Sequence, residues 1–260
     1  RSRWRTSSRA AVLVAWSARR GVRDCVSPTA ATLLGSRARS AVLGGGVIYR
    51  VGRHRVAHGD CHDTALVARL LDGATPRTLV YDPPWQAPVQ TPAGTWESIL
   101  AFGDGRTLGA IVQRFGAGIA WLFVWDCQCC LARTNKPFQR HKLCAWYGDA
   151  RTYRWRGARL NGTEDRPQGK KLADLYARPI THEHRNATGV LRYAKPLEWM
   201  RCLVGNCAQG DVYDPCLGSG TTLLACEQTD RVCYAVERDE EALAVVFERA
   251  RAAGLQVSRE

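Results

Sequence analysis

The residues Asp82-Pro83-Pro84-Trp85 follow a short apolar run that ends in Val80-Tyr81. Proline donates no backbone hydrogen bond, so a β-strand leading into this stretch must stop there. An acid at the carboxyl end of a strand, with a rigid turn fixing an indole beside it, suits a flat polar ligand. The carboxylate accepts N–H bonds from the ligand's edge while the ring covers its face. A second run, Asp214-Pro215-Cys216-Leu217-Gly218-Ser219-Gly220-Thr221-Thr222, follows Val212-Tyr213. Its glycines let backbone amides approach a ligand closely, and Glu237, 17 residues beyond Gly220, closes the next apolar run. A carboxylate at that position is placed to accept from ribose hydroxyls. No lysine follows the last glycine, so the turn is not a phosphate loop of the nucleotide triphosphatase kind.

Such groups need strands that end at one side of a sheet, and the patterning supplies them. Residues 47–58 read as a strand pair around Gly52, residues 61–71 carry the helical spacing of Leu66, Leu70 and Leu71, and residues 78–81 form a short buried strand. A helix is expected within residues 95–115 and a strand buried on both faces over residues 118–126. After Lys195-Pro196 the spacing predicts a helix over 197–207, a strand ending at Asp214, a helix over 223–228 and a strand over 232–236. Strands alternating with helices predict an α/β fold with a doubly wound, parallel sheet.

The chain has 260 residues and a net charge of +13, and the charge is unevenly placed. Residues 1–46 hold nine arginines and a single aspartate, so eight of the thirteen net charges lie there. That segment has no sustained periodicity and is expected to be disordered or a non-native extension, with the functional fold beginning at Val47. Arg-rich residues 1–9 followed by an apolar stretch look superficially like a signal peptide, but a small-residue cleavage site is not clear. No apolar run reaches the ~18 residues a membrane span needs. The eleven cysteines lack framework spacing, which suits reduced thiols in a cytoplasm. Cys127, Cys130, His141 and Cys144 have paired spacing reminiscent of zinc ligands, yet Cys127 and Cys144 fall in apolar runs, so no metal is expected. Between residues 133 and 192 fourteen basic residues meet five acids, interleaved with Trp146, Tyr147, Tyr153, Trp155 and Tyr176. Charge for phosphates and rings for unpaired bases are what a nucleic-acid surface requires.

The two motifs together, in this order and 132 residues apart, resemble the amino-group DNA methyltransferases in their circularly permuted (beta-class) arrangement, where the catalytic motif precedes the cofactor motif. The resemblance covers most of residues 47–253 and extends to Gly59-Asp60, Tyr193-Ala194-Lys195-Pro196 and Val236-Glu237-Arg238-Asp239. Residues 136–142 with Trp146-Tyr147-Gly148 look like methylases carried by phages. Cys216 departs from the usual aromatic, and Trp85 replaces the commoner tyrosine and is also typical of RNA adenine methyltransferases. The resemblance implies a Rossmann-like methyltransferase fold, S-adenosyl-L-methionine as cofactor and double-stranded DNA as partner, with the target base flipped out. It assigns Asp82, Pro83, Pro84 and Trp85 to catalysis. It assigns Asp60, Asp214, Pro215, Gly218, Ser219, Gly220, Thr221, Glu237 and Lys195 to the cofactor, with Asp60 on the adenine amine, Glu237 on the ribose and Lys195 on the carboxylate. Residues 127–192 become a basic target-recognition insert within a methyltransferase domain of residues 47–260.

The implied reaction is methyl transfer to N6 of adenine, since an acid in the first motif favours adenine over N4 of cytosine, for which serine is more typical. N4-cytosine, RNA adenine and small-molecule methylation, and a decayed nucleic-acid-binding protein, are the competing readings. Asp60 also reads as a helix cap and Lys195 as a solvated side chain. If the functional fold begins at Val47, deletion of residues 1–46 leaves methyl transfer intact. An insoluble or inactive product would overturn that boundary.

Overall fold

Val47–Val51 (β1) and His54–His58 (β2) form an antiparallel hairpin in which Val51 faces His54. Gly52, at φ 57°, supplies the left-handed turn that so short a connection demands. The computed structural model describes residues 46–83, 95–105, 107–127, 141–153, 175–177 and 194–260. Helix α1 (Thr64–Leu71) begins three residues later than its apolar spacing suggests. Asp63 is its cap and accepts from the amides of Ala65 and Leu66 at 3.0 and 3.1 Å, so Asp60 is not the cap.

Thr78–Tyr81 (β3) is buried throughout, as its composition predicts. The helix expected within 95–115 is divided. Ser98–Gly103 (β4) is a strand and only Leu108–Phe115 (α2) is helical. The run Ile99-Leu100-Ala101-Phe102 is apolar on both sides of a pleat, a pattern that short periodicity cannot separate from a buried helix. Trp121–Asp126 (β5) is not buried on both faces: Trp121 is 52% exposed. It pairs antiparallel with His141–Gly148 (β6) and parallel with Leu175–Ala177 (β7), while β6 also runs antiparallel beside β4. Trp146, Tyr147 and Tyr176, expected as stacking platforms, are therefore core residues. Trp155 lies outside the described residues.

Leu197–Cys207 (α3), Val212–Asp214 (β8), Thr221–Gln228 (α4), Cys233–Glu237 (β9), Glu240–Ala252 (α5) and Val257–Arg259 (β10) complete the order. The sheet runs β10-β1-β2-β9-β8-β3-β4-β6-β5-β7. It is mixed rather than wholly parallel: β2, β9, β8, β3 and β4 are parallel neighbours, with antiparallel pairings on either side. Alternate residues of the central strands pack into opposite layers. Val80 and Leu100 join α3, α4 and α5, whereas Leu79, Tyr81 and Ala101 join α1 and α2.

Helix α3 is buried along most of its length, with Trp199, Met200, Cys202, Leu203 and Val204 at 0% exposure. Each large apolar side chain buried this way contributes about 1.5–3 kcal/mol. Its C-terminus is tied to the sheet by side chains that pair buried polar groups. Ser98 Oγ donates to the Cys207 carbonyl at 2.8 Å, Trp146 Nε1 donates to Ser98 Oγ at 3.1 Å, and Thr78 Oγ donates to the Gln209 carbonyl at 2.8 Å.

The turn from β8 into α4 depends on two left-handed glycines, Gly218 at φ 58° and Gly220 at φ 78°. An added Cβ at Gly220 would meet both Val246 methyl carbons at 3.2 Å, whereas at Gly218 it meets nothing within 4 Å. Gly218→Ala is expected to cost about 1–2 kcal/mol for the backbone alone, and Gly220→Ala measurably more because Val246 must move. Urea unfolding of the two variants orders them, and a larger loss at Gly218 would contradict the account.

Candidate active site

The chain leads from β8 to β9 and from β3 to β4, which flank the β8–β3 pair on opposite sides in the strand order. Between neighbouring parallel strands with diverging connections a crevice opens at their carboxyl ends. Asp214 ends β8 and Asp82 follows β3, and these strands are hydrogen-bonded neighbours with Thr78 opposite Val212 and Leu79 opposite Tyr213. Residues 132 positions apart in the chain thus share one crevice.

Asp214 is 2% exposed. Burial pushes its carboxyl up to about 6, against hydrogen bonds from the Thr222 side chain and the Cys216 amide and the attraction of Lys195; neighbouring Asp82 adds to the rise. The Cys216 amide donates to Asp214 Oδ1 at 2.9 Å and so shapes the start of the glycine turn. Pro215 beside it is buried.

The ammonium of Lys195 contacts Asp82 Oδ2 and lies 4.6 Å from the centroid of the Phe102 ring. The family resemblance implied that Lys195 meets the cofactor carboxylate; the structure brings it to Asp82, the acid of the proline motif. Pro83 is described and partly exposed, while Pro84 and Trp85 lie outside the described residues.

Glu237 ends β9, next to β8, and is 9% exposed. It receives the Gly218 amide on Oε2 at 2.6 Å and the Asp239 amide on Oε1 at 2.9 Å. Burial raises its carboxyl above the usual range while those amides oppose the rise. Asp60 sits past the end of β2, and the preceding Gly59 amide donates to the Glu237 carbonyl at 3.0 Å. The Asp60 carboxylate accepts from the His62 amide at 2.9 Å and contacts His62 Nδ1 at 2.7 Å. The backbone bond from His62 is the main reason its carboxyl is held below the usual range.

Sequence reasoning missed Arg249. From α5 its guanidinium donates to the Ser219 carbonyl at 2.5 Å and to Thr221 Oγ at 3.1 Å, while Ser219 Oγ and Thr221 Oγ lie 3.1 Å apart. Its only signal is position, since Leu243, Val246 and Ala250 mark the buried stripe of α5 that Arg249 adjoins. Of the zinc-like set, Cys127 and Cys144 are buried and Cys130 lies outside the described residues.

No protein-family model matches the sequence, and no curated protein matches it. Solved structures do. The M1.HpyAVI–SAM complex superposes with a TM-score of 0.52 at 18% identity, covering 75% of this chain and 98% of the other. PvuII DNA methyltransferase (cytosine-N4-specific) gives 0.52 at 14% identity, covering 77% and 90%. The fold is a Rossmann-like methyltransferase fold. In this methyltransferase fold the described residues of both motifs, together with Asp60 and Glu237, stand at the carboxyl ends of parallel strands.

The buried Asp214 charge has a measurable consequence. With a folded value near 6 and an unfolded one of about 3.9, the folded state binds the extra proton between these values, so stability falls as pH rises through that window. Asp214→Asn removes the charge and should stabilise the protein at pH 8 by about 2–3 kcal/mol, with the advantage shrinking toward pH 4.5. Denaturant unfolding at both pH values tests this, and an equal difference at both would sink it.

Proposed function

We propose that the chain is an S-adenosyl-L-methionine-dependent DNA methyltransferase that methylates the exocyclic N6 of adenine. The observation that carries the reading is the juxtaposition of Asp82 and Asp214 on neighbouring parallel strands, one beside the glycine turn and the other beside the proline pair. The likeness of the fold to a SAM-bound structure and to a DNA methyltransferase supports the class. The order of the strands in the chain, β3 before β8, supports the permuted arrangement.

The residues present fit such a cofactor. Open space above Gly218 lets a ligand approach the backbone, the Glu237 oxygens keep lone pairs beyond their amide bonds, and Asp60 is exposed past the neighbouring strand. In this reading Gly218, Ser219, Gly220 and Thr221 hold the methionine moiety, Glu237 the ribose hydroxyls and Asp60 the adenine amine, with Asp214 and Pro215 forming the wall of the pocket. Bound there, the cofactor supplies an electrophilic methyl on a sulfonium. Asp82 and the Pro83 carbonyl accept the N–H bonds of the target amine, which localises a lone pair otherwise delocalised into the base. Lys195 contacts Oδ2 of Asp82, leaving Oδ1 to face the amine. Trp85 stacks on the base, whose flipping costs a few kcal/mol and whose stacking returns about 1–3 kcal/mol. Positioning and electrostatics carry the acceleration. Basic residues among 127–192 hold the DNA backbone, and a reducing cytoplasm is the proposed compartment.

Methylation of N4 of cytosine is the second reading, favoured by the likeness to a cytosine-N4-specific enzyme. Labelled S-adenosylmethionine with unmethylated duplex DNA, followed by nucleoside mass spectrometry, separates the two. N6-methyladenine is expected, falling by about 10²–10⁴-fold in Asp82→Ala. N4-methylcytosine would shift the base assignment, and no product on any DNA would overturn the proposal.

A further inference from the structure

One short segment, residues 237–249, holds the glycine turn at two places. Glu237 ends β9 and receives the Gly218 amide on one oxygen at 2.6 Å and the Asp239 amide on the other at 2.9 Å. Asp239 in turn caps α5, accepting from the Glu241 and Ala242 amides at 2.9 and 3.1 Å. From the third turn of that helix the Arg249 guanidinium donates through a single nitrogen, Nη1, to the Ser219 carbonyl at 2.5 Å and to Thr221 Oγ at 3.1 Å.

No carboxylate pairs with Arg249 among the described residues, whereas Arg53, Arg55 and Arg77 each meet one. Burial acts against its charge and lowers its guanidinium from the usual range. A half-buried cation held only by neutral oxygens loses hydration that those bonds offset in part. Its presence is explained if the turn it grips receives an anion.

The hydrogen bonds have a direction that suits such a ligand. Arginine only donates, so its bond to Thr221 Oγ fills an acceptor site of that hydroxyl and leaves the Thr221 proton to be given away. Ser219 Oγ lies 3.1 Å off and is placed to accept it. The Ser219 hydroxyl then stands as the donor at the end of a row polarised by the cation, in side chains that are both buried. The backbone is fixed to match. With the Gly220 amide on the Leu217 carbonyl at 3.2 Å and the Ser219 carbonyl on Arg249, the peptide between Ser219 and Gly220 is held at both ends, and its oxygen is not free to oppose an anion.

We propose that Arg249 is a positioning residue for the amino-acid end of the cofactor: acting through Thr221 and Ser219, it makes the glycine turn a hydrogen-bond donor to that moiety's carboxylate. The proposal rests on the cofactor reading above and deepens it.

Two ligands that differ at that end provide the test. S-adenosylhomocysteine carries the carboxylate, whereas methylthioadenosine keeps the adenine, ribose and thioether and lacks the amino acid. In calorimetric titrations of the full chain, Arg249→Gln should bind S-adenosylhomocysteine about tenfold more weakly than the unsubstituted protein, the worth of one hydrogen bond to a charged group. Methylthioadenosine should bind both proteins equally. Arg249→Lys keeps the cation and should recover part of the loss. It also decides the matter if Arg249→Gln does not fold, with a loss of about threefold expected for S-adenosylhomocysteine alone. Equal weakening of both ligands would make Arg249 a general brace and overturn the proposal, as would unchanged affinity for S-adenosylhomocysteine. An unsubstituted protein that binds neither ligand overturns the proposed cofactor site itself, and this role with it.

Discussion

Every chemical feature of the crevice depends on the parallel pairing of β3 with β8. Only two residue pairs define the register, Thr78 with Val212 and Leu79 with Tyr213, yet it sets Asp82 and Asp214 at one edge. The pairing is held from outside the strands as well. The amides of Arg77 and Thr78 both donate to the Asp211 carbonyl at 3.1 Å, and Thr78 Oγ accepts from the Gln209 amide at 2.7 Å. Because β3 is buried along its whole length, slipping it by one residue would exchange Leu79 and Val80 between layers that are both already filled. The site inherits its precision from that packing conflict.

The same pairing creates an electrostatic load. Asp214 is buried with Asp82 as a like-charged neighbour, and Lys195 is the cation that offsets both. Buried charge that costs stability is common in functional clefts, and in the proposed function this charge faces the cofactor. The neighbouring β9 solves the problem differently. Glu237 keeps a buried carboxylate by receiving two backbone amides, one from the glycine turn itself, so the group that ends β9 also shapes the turn. Arg249 braces that turn from the helix side. The glycine turn is consequently a preorganised structure rather than a floppy loop.

Beyond β4 the sheet changes character. β6 inserts antiparallel between β4 and β5, and its Trp146 and Tyr147 fill the two layers on either side of it. Of the aromatic residues of the basic middle segment, Trp146 and Tyr147 on β6 and Tyr176 on β7 are buried in the sheet and are not free to stack on bases. Charge alone does not reveal this, since Lys142 and His141 lie on β6 too.

The strand ends were legible in the sequence because proline and glycine act locally. Pro83 stops β3 whatever its neighbours, and Gly218 and Gly220 announce a turn that only they adopt cheaply. The uninterrupted apolar run of β3 and the amphipathic stripe of α1 were likewise written in the order of their residues. The sequence also contained both halves of the candidate site as motifs. Whether residues 98–103 form a strand or a helix was not legible, because an all-apolar run has no period until a sheet and two helix layers surround it. Nor were the contacts of Lys195 with Asp82 or of Arg249 with the Ser219 carbonyl. Each joins residues at least 30 positions apart, and nothing local encodes such proximity. Strand order decides it, since β2 and β8 flank β9 and β8 lies beside β3, and strand order is a property of how helices and sheet exclude water together.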